Sequence, residues 1–372
     1  MELRQRRSAG TSSTRADLPS TSSGSSKKEK RKNLVKRGCQ VVLFKIVAAF
    51  LILYLAIPIW FYNSQWVRQH VVFLTFVNIP PFLNLSDPDG FGLHCPRNFY
   101  VESDPGIKLG TWYIPSDNEK CDRNGPLFQG EDPVVLYLHG NSGSRGGNHR
   151  VELYKLLTTK AKVNVVAFDY RGYGDSVSEE GPSVDGLVHD ALAVYKWLRE
   201  RVPAERVVVW GHSLGTGVAT HLLADLNKLK ERPAALVLES PFDELANVVK
   251  HHPLSRMHRF MPYFQDIFVD SLKNDPTTSF NSFEKSKLVD PKLPVMILHA
   301  KDDGVIPFSL ADRLHKGFES SRGSSRSTEF VTFESELGYG HKYIYTHPGL
   351  HKKVRDFFDG AIASRSETDS QK

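Results

Sequence analysis

The residues best placed to do chemistry in this chain of 372 amino acids lie in the run ERVVVWGHSLGTG. Ser213 sits there between Gly211 and Gly215, after a short apolar stretch and before residues that read as the start of a helix. Glycine two residues to either side suits a tight strand-to-helix turn, because a larger side chain would strike the strand or the helix. The free amides and positive end of that helix then face any negative charge developing on a carbonyl that the serine attacks. A serine hydroxyl is a weak nucleophile until a base removes its proton. The chemistry in prospect is therefore acyl transfer, with a histidine as base and a carboxylate to orient it.

Such a group needs a rigid scaffold, and the pattern downstream of about Phe91 describes one. Short apolar runs predict strands at 98–102, 108–114, 134–139, 164–169, 206–210, 235–239, 295–299 and 329–333. Several are so uniformly apolar that both faces must be buried. Helices are predicted between them, at 182–201, 214–229, 309–317 and 351–362 among others. This alternation implies a mainly parallel sheet with helices on both faces. A strand–Gly-x-Ser-x-Gly–helix unit in that setting marks the α/β-hydrolase fold, in which the acid and then the histidine follow the nucleophile along the chain.

That order selects the partners. The strand LPVMILHA runs into KDDGVIPF. With Ala300 at the glycine and Pro307 at the proline of the usual Gly-x-x-Asp-x-x-Val-Pro spacing, the acid falls on Asp303. The adjacent Asp302 is left to cap or brace the loop. His341, in ELGYGHKYIY between the last strand and the last helix, is the expected base, whereas His347 and His351 read as surface residues. HGNSG after VVLYL supplies the second oxyanion donor, so the expected pair is the backbone N–H of Asn141 and of Leu214. FDYRGYGDS is read as structural support.

The formal charge of +6 is unevenly spread. Residues 1–38 hold eleven Lys or Arg against three acidic residues, a balance of +8 that leaves −2 for the rest. Basic charge on a tail rather than on the folded module argues against nucleic-acid binding. Residues 8–26, rich in Ser and Thr, read as disordered. The run 39–62 has Lys45 as its one charge and is long enough to cross a bilayer, with Trp60, Tyr62 and Trp66 as interfacial anchors. Its long basic lead and WFYNSQW flank do not suit a cleaved signal peptide. The basic lead places the N-terminus in the cytoplasm and the body on the lumenal or outer side. There Asn84-Leu85-Ser86 is an acceptor pattern for N-glycosylation. Residues 71–85 either pack as a linker or lie in the membrane interface. Three cysteines are too few and too scattered for a metal site, and no cofactor is implied. Cys95 and Cys121 either bridge, in an oxidising compartment, or stay as separate thiols.

The expected organisation is thus a basic disordered tail (1–38), a transmembrane helix (39–62), a membrane-proximal linker (63–96), the hydrolase domain (97–363) and a C-terminal tail (364–372). Residues 243–293 exceed what a simple crossover needs. They form either a crossover helix with a solvated basic face or a lid, whose Arg256 and Arg259, three apart on a helix, would meet a phosphate.

Together HGNSGSRG, FDYRGYGDS, GHSLGTGVA, LESPF, HAKDDGVIPF and LGYGHKYIY resemble the α/β-hydrolase-domain protein twelve family, over nearly the whole chain after the tail. The resemblance implies a membrane-bound serine hydrolase of the endoplasmic reticulum with a lumenal active site. Its implied substrates are lysophosphatidylserine and, more loosely, monoacylglycerols such as 2-arachidonoylglycerol. Other readings of the same residues are a thioesterase or peptidase on this scaffold, or a non-catalytic scaffold, a class that usually lacks a triad member.

Overall fold

The computed structural model describes residues 23–78, 80–179, 181–322 and 328–369. Most of the tail expected to be disordered, residues 1–22, lies outside them. The chain divides into two compact units, Met1–Ile57 and Pro58–Lys372.

The first unit is helical through Ser23–Leu51 and a π-helical turn, Ile52–Ala56. Its apolar side chains point outward, Phe44 being 73% exposed. The helical stretch Ser26–Asn63 is long and apolar enough to cross a membrane. The helix begins well before the expected boundary at Cys39. Lys, Glu and Arg of the basic cluster are good helix formers, and a helix once nucleated propagates through them at little cost.

The second unit is built on an eight-stranded sheet: β1 (Arg97–Asp104), β2 (Ile107–Ile114), β3 (Val134–Leu138), β4 (Asn164–Phe168), β5 (Val207–His212), β6 (Ala235–Glu239), β7 (Val295–Ala300) and β8 (Glu329–Phe333). The order is β1-β2-β4-β3-β5-β6-β7-β8. β1, β2 and β4 pair antiparallel, and every other neighbour is parallel. The period of two along each strand sorts its side chains between two cores. Val207 and Val209 of β5 pack with helices Val184–Arg199, Leu214–Lys228 and Phe308–Arg322. Val208 and Trp210 pack on the opposite face, with helices Asn148–Lys155 and Leu350–Asp369. The last helix thereby runs through most of the expected C-terminal tail.

Residues 63–96 are packed structure rather than a linker. Ser64 Oγ accepts from Val67 N and caps the helix Gln65–Phe73, which ends on Leu74 at φ 47°. Phe73 is fully buried, and the Trp112 indole donates to Leu85 O at 2.8 Å. Arg68 Nε pairs with Asp275 at 2.8 Å, tying this helix to the insert after β6. Within 71–85, Phe73 and Leu85 take the core-packing role while Phe76 and Phe82 stay exposed.

Cys95 and Cys121 form a disulfide across a sequence separation of 26 residues. Closing a loop of that length removes chain entropy from the unfolded state, about 3 kcal/mol. A Cys95→Ala, Cys121→Ala protein should unfold in urea with stability lowered by roughly that amount, and reducing agent should lower wild type to match.

Candidate active site

The elbow at the end of β5 holds Ser213 at φ 53° and ψ −118°, a conformation a non-glycine residue adopts only under tertiary constraint. The constraint is visible at both flanking glycines. A Cβ on Gly215 would lie 2.0 Å from Leu138 O, and one on Gly211 would lie 2.4 Å from Gly215 O. The strand and helix therefore meet backbone to backbone. Ser213 N donates to Glu239 O (2.9 Å), fastening the elbow to β6. Ser213 O accepts from Thr216 N (2.9 Å) and Thr216 Oγ1 (2.6 Å). Carbonyl and amide of a trans peptide point opposite ways, so holding Ser213 O also aims the Leu214 N–H.

His341 Nε2 lies 2.8 Å from Ser213 Oγ, and His341 Nδ1 lies 2.7 Å from Asp303 Oδ2. Asp303 stands on the turn after β7, where its Oδ1 accepts from Val305 N (2.8 Å) and Ile306 N (2.9 Å). Burial alone would raise the Asp303 pKa. The hydrogen bond and charge of His341, with help from the Ile306 amide, outweigh burial and hold the carboxyl down at about 2. An ionised carboxylate facing Nδ1 requires the proton there, which leaves Nε2 free to accept from the serine. Asp302 braces the loop, its Oδ2 accepting from Gly340 N at 2.9 Å. His212 does the same from the elbow: burial pushes its pKa down to about 3, and the neutral ring donates from Nε2 to His341 O at 2.9 Å. His347 is less of a surface residue than expected, its ring packing against Phe333 and Tyr339.

Asn141 follows β3 on a turn that crosses directly over the elbow. A Cβ on Gly140 would lie 2.9 Å from His212 Nδ1 and 3.1 Å from Ser213 Cβ, so only glycine lets the turn come this close. Neither the Asn141 nor the Leu214 amide donates to an acceptor among the described residues. FDYRGYGDS has the supporting role expected of it. Asp169 and Asp175 both bind Arg145, and Arg171 binds Asp190, all of them buried or nearly so except the partly exposed Asp175.

Against the Asn141 turn lies a cavity of about 230 Å³, lined by Asn141 and chiefly by Phe61, Val72, Val248, Phe264 and Phe268. The insert 243–293 thus supplies one apolar wall, as a lid would. The helix Gln65–Phe73 supplies another, which sequence periodicity alone did not indicate. Arg256 and Arg259 are not brought to this cavity. Pro253 starts a 3-10 turn, Pro253–Met257, in place of the expected α-helix. Both arginines are exposed, and Arg259 donates to His252 O and Ser255 Oγ. Phe260 nearby is 71% exposed, whereas Phe264 is buried in the cavity wall. Asn84 is exposed, with Ser86 Oγ donating to its Oδ1 at 2.7 Å. Sequence reasoning also missed the buried Arg150, which no periodicity or motif singled out.

The sheet order, the strained serine elbow and the Ser–His–Asp hydrogen-bond chain define an α/β-hydrolase of the serine hydrolase class. A family model described as alpha/beta hydrolase fold matches residues 133–270. The chain is 39% identical over 349 residues to lysophosphatidylserine lipase ABHD12 of Danio rerio, covering 91% of this chain and 89% of that one. It is 40% identical over 323 residues to the protein of that name from Rattus norvegicus, covering 85% and 80%. The solved esterase Pf2001 of Pyrococcus furiosus shares the fold, with a TM-score of 0.56 at 21% identity over 76% of this chain and 97% of that one. The chain belongs to the ABHD12 family of α/β-hydrolases and is a hydrolase acting on ester bonds.

Beneath the elbow, burial pushes Glu239 up from the usual 4.5 to about 7, against the lowering pull of the Trp210 indole that donates to it. The folded protein therefore holds a proton that the unfolded chain releases between those two values. The associated stability is fully present below 4.5 and is lost as pH rises through about 7. It amounts to about 3 kcal/mol. Urea unfolding of Glu239→Gln should lack this decline, so its stability relative to wild type should improve from pH 5 to pH 8. Parallel curves for the two proteins would contradict the assignment.

Proposed function

We propose that this protein hydrolyses the acyl ester of single-chain membrane lipids, lysophosphatidylserine first among them. The observation that carries the reading is the Ser213–His341–Asp303 chain, 2.8 and 2.7 Å long at its two links, beside an apolar cavity. The names of the relatives support the head group. Ser213 Oγ attacks the ester carbonyl as His341 Nε2 takes its proton, and the carbonyl electron pair moves to oxygen. The amides of Asn141 and Leu214 receive that oxyanion. Asp303 stabilises the imidazolium. When the pair returns, the bond to the glycerol oxygen breaks and His341 gives its proton to the leaving alcohol. Water, deprotonated by the same histidine, then releases the fatty acid and restores Ser213.

Monoacylglycerols, 2-arachidonoylglycerol included, are a second substrate class under this reading. They present the same single acyl ester, and among the described residues the cavity lining contains no Lys or Arg that would demand a phosphate. Head-group contact by Arg256 and Arg259 would require the phosphate to lie outside the cavity, at the surface.

Ser213→Ala should abolish fluorophosphonate labelling and hydrolysis across a panel of lysophospholipids, monoacylglycerols, thioesters and peptides, with lysophosphatidylserine the best wild-type substrate. Asp303→Asn should cost about 10⁴-fold in kcat through the wrong histidine tautomer, and Asp302→Asn far less. Labelling that survived Ser213→Ala, the reverse ranking of the acids, or a preference for thioesters or peptides would each refute its part of the reading.

The same proposal places the protein in the endoplasmic reticulum membrane as a glycoprotein, N-terminus cytoplasmic and body lumenal. The basic lead, the exposed Asn84 and a disulfide suited to an oxidising compartment all support it. Protease added to sealed microsomes should trim the N-terminus and spare the body, and Asn84→Gln should remove a glycosidase-sensitive mobility shift. A body digested without detergent would reverse the orientation.

A further inference from the structure

Arg150 is a buried cation, and no carboxylate among the described residues pairs with it. Its guanidinium instead grips the carbonyls of the oxyanion turn. Nη2 donates to Gly140 O (2.9 Å), Ser142 O (2.8 Å) and, more distantly, Asn141 O (3.4 Å), while Nη1 donates to Ser144 O (2.5 Å). The Gly140 carbonyl and the Asn141 N–H belong to one trans peptide and point opposite ways. Holding Gly140 O, which also accepts from His139 Nδ1 at 2.7 Å, therefore aims the Asn141 N–H away from Arg150.

The outer side of the turn is held by the segment following the candidate membrane span. Asn141 Nδ2 donates to Val72 O (2.6 Å), and Gly143 N donates to Val77 O (2.7 Å). The Tyr173 hydroxyl lies against both Phe73 O and Asn141 Oδ1, one proton between two acceptors.

We propose that Arg150 and Tyr173 are positioning residues for the oxyanion turn, and that residues 72–77, which hold the turn directly and through Tyr173, are a working part of the active site rather than a spacer. The proposal rests on the assignment of Asn141 N–H as an oxyanion donor. Arg150 sets the direction of that donor, and its charge, kept out of water and uncancelled by a carboxylate, adds to the field at the oxyanion. Tyr173 and the 72–77 segment fix where the turn stands over Ser213.

The test uses the full chain in detergent, with kcat and KM for a lysophospholipid expressed per fluorophosphonate-titrated site, so that misfolded protein is not counted. A long-chain trifluoromethyl ketone, which adds Ser213 Oγ reversibly and carries the oxyanion, is measured alongside. Arg150→Lys keeps the charge but cannot reach several carbonyls at once. It should lose about 10- to 100-fold in kcat, the scale of a misplaced catalytic group, with KM within about twofold of wild type because substrate is bound elsewhere. Tyr173→Phe should lose about fivefold, the scale of one hydrogen bond. In both variants the ketone inhibition constant should rise by the factor by which kcat falls. Unchanged kcat, or a fall in kcat with no change in ketone affinity, would overturn the proposal. If Arg150→Lys yields no folded protein, the Tyr173→Phe inhibition constant decides alone. Wild-type protein that fails to label at Ser213 would overturn the nucleophile assignment instead, an outcome distinct from failure of the clamp.

Discussion

The active site descends from one close approach, the backbone of Gly215 packed onto the carbonyl of Leu138 with no room for a Cβ. That approach brings the start of the helix Leu214–Lys228 against β3, and the chain can pass from β5 into the helix only by forcing Ser213 to positive φ. The strain of order 1–3 kcal/mol at such a residue is held by the sheet on either side. β5 is a central strand with both faces covered, and Ser213 N is tied to β6. Ser213, the Leu214 amide and, through the His212 ring, the His341 backbone all take their positions from this elbow.

Around it the protein buries many polar groups, and their charge states follow from which ones have partners. Arg145 brings Asp169 and Asp175 together, and Arg171 holds Asp190, so these ions are compensated. His212 and His299 are buried against backbone carbonyls, and desolvation keeps both neutral. Asp303 is the exception within the site. Two backbone amides and His341 favour its charged form strongly enough to overcome burial. One acid is thus kept ionised among neutral rings, the condition a histidine base needs.

The segment from Phe61 to Val77 gives the molecule an architecture that its sequence does not advertise. It walls the cavity, pairs with the insert through Arg68 and Asp275, and touches the Asn141 turn. A bundle of contacts of this kind couples the segment beside the candidate membrane span to the apolar cavity and the Asn141 turn, through ordinary packing rather than any special device.

All eight strands, the elbow, and the segments that bring Asp303 and His341 beside Ser213 were legible in the residues, because each has a local cause. Strands buried on both faces must be apolar runs, a tight elbow must have glycines at fixed offsets, and chain order in the fold ranks the remaining acids and histidines. The disulfide, the cavity wall made by Phe61 and Val72, and the grip of Arg150 have no such signature. Each pairs residues set by how separate segments dock, and an arginine in HGNSGSRGGNHR reads as a surface charge until the turn folds over it. The expected pairing of Arg256 with Arg259 depended on a regular helix running through both. The 3-10 turn that carries Arg256 ends at Met257, so no helix joins the two, and a spacing of three residues cannot show where a helix stops.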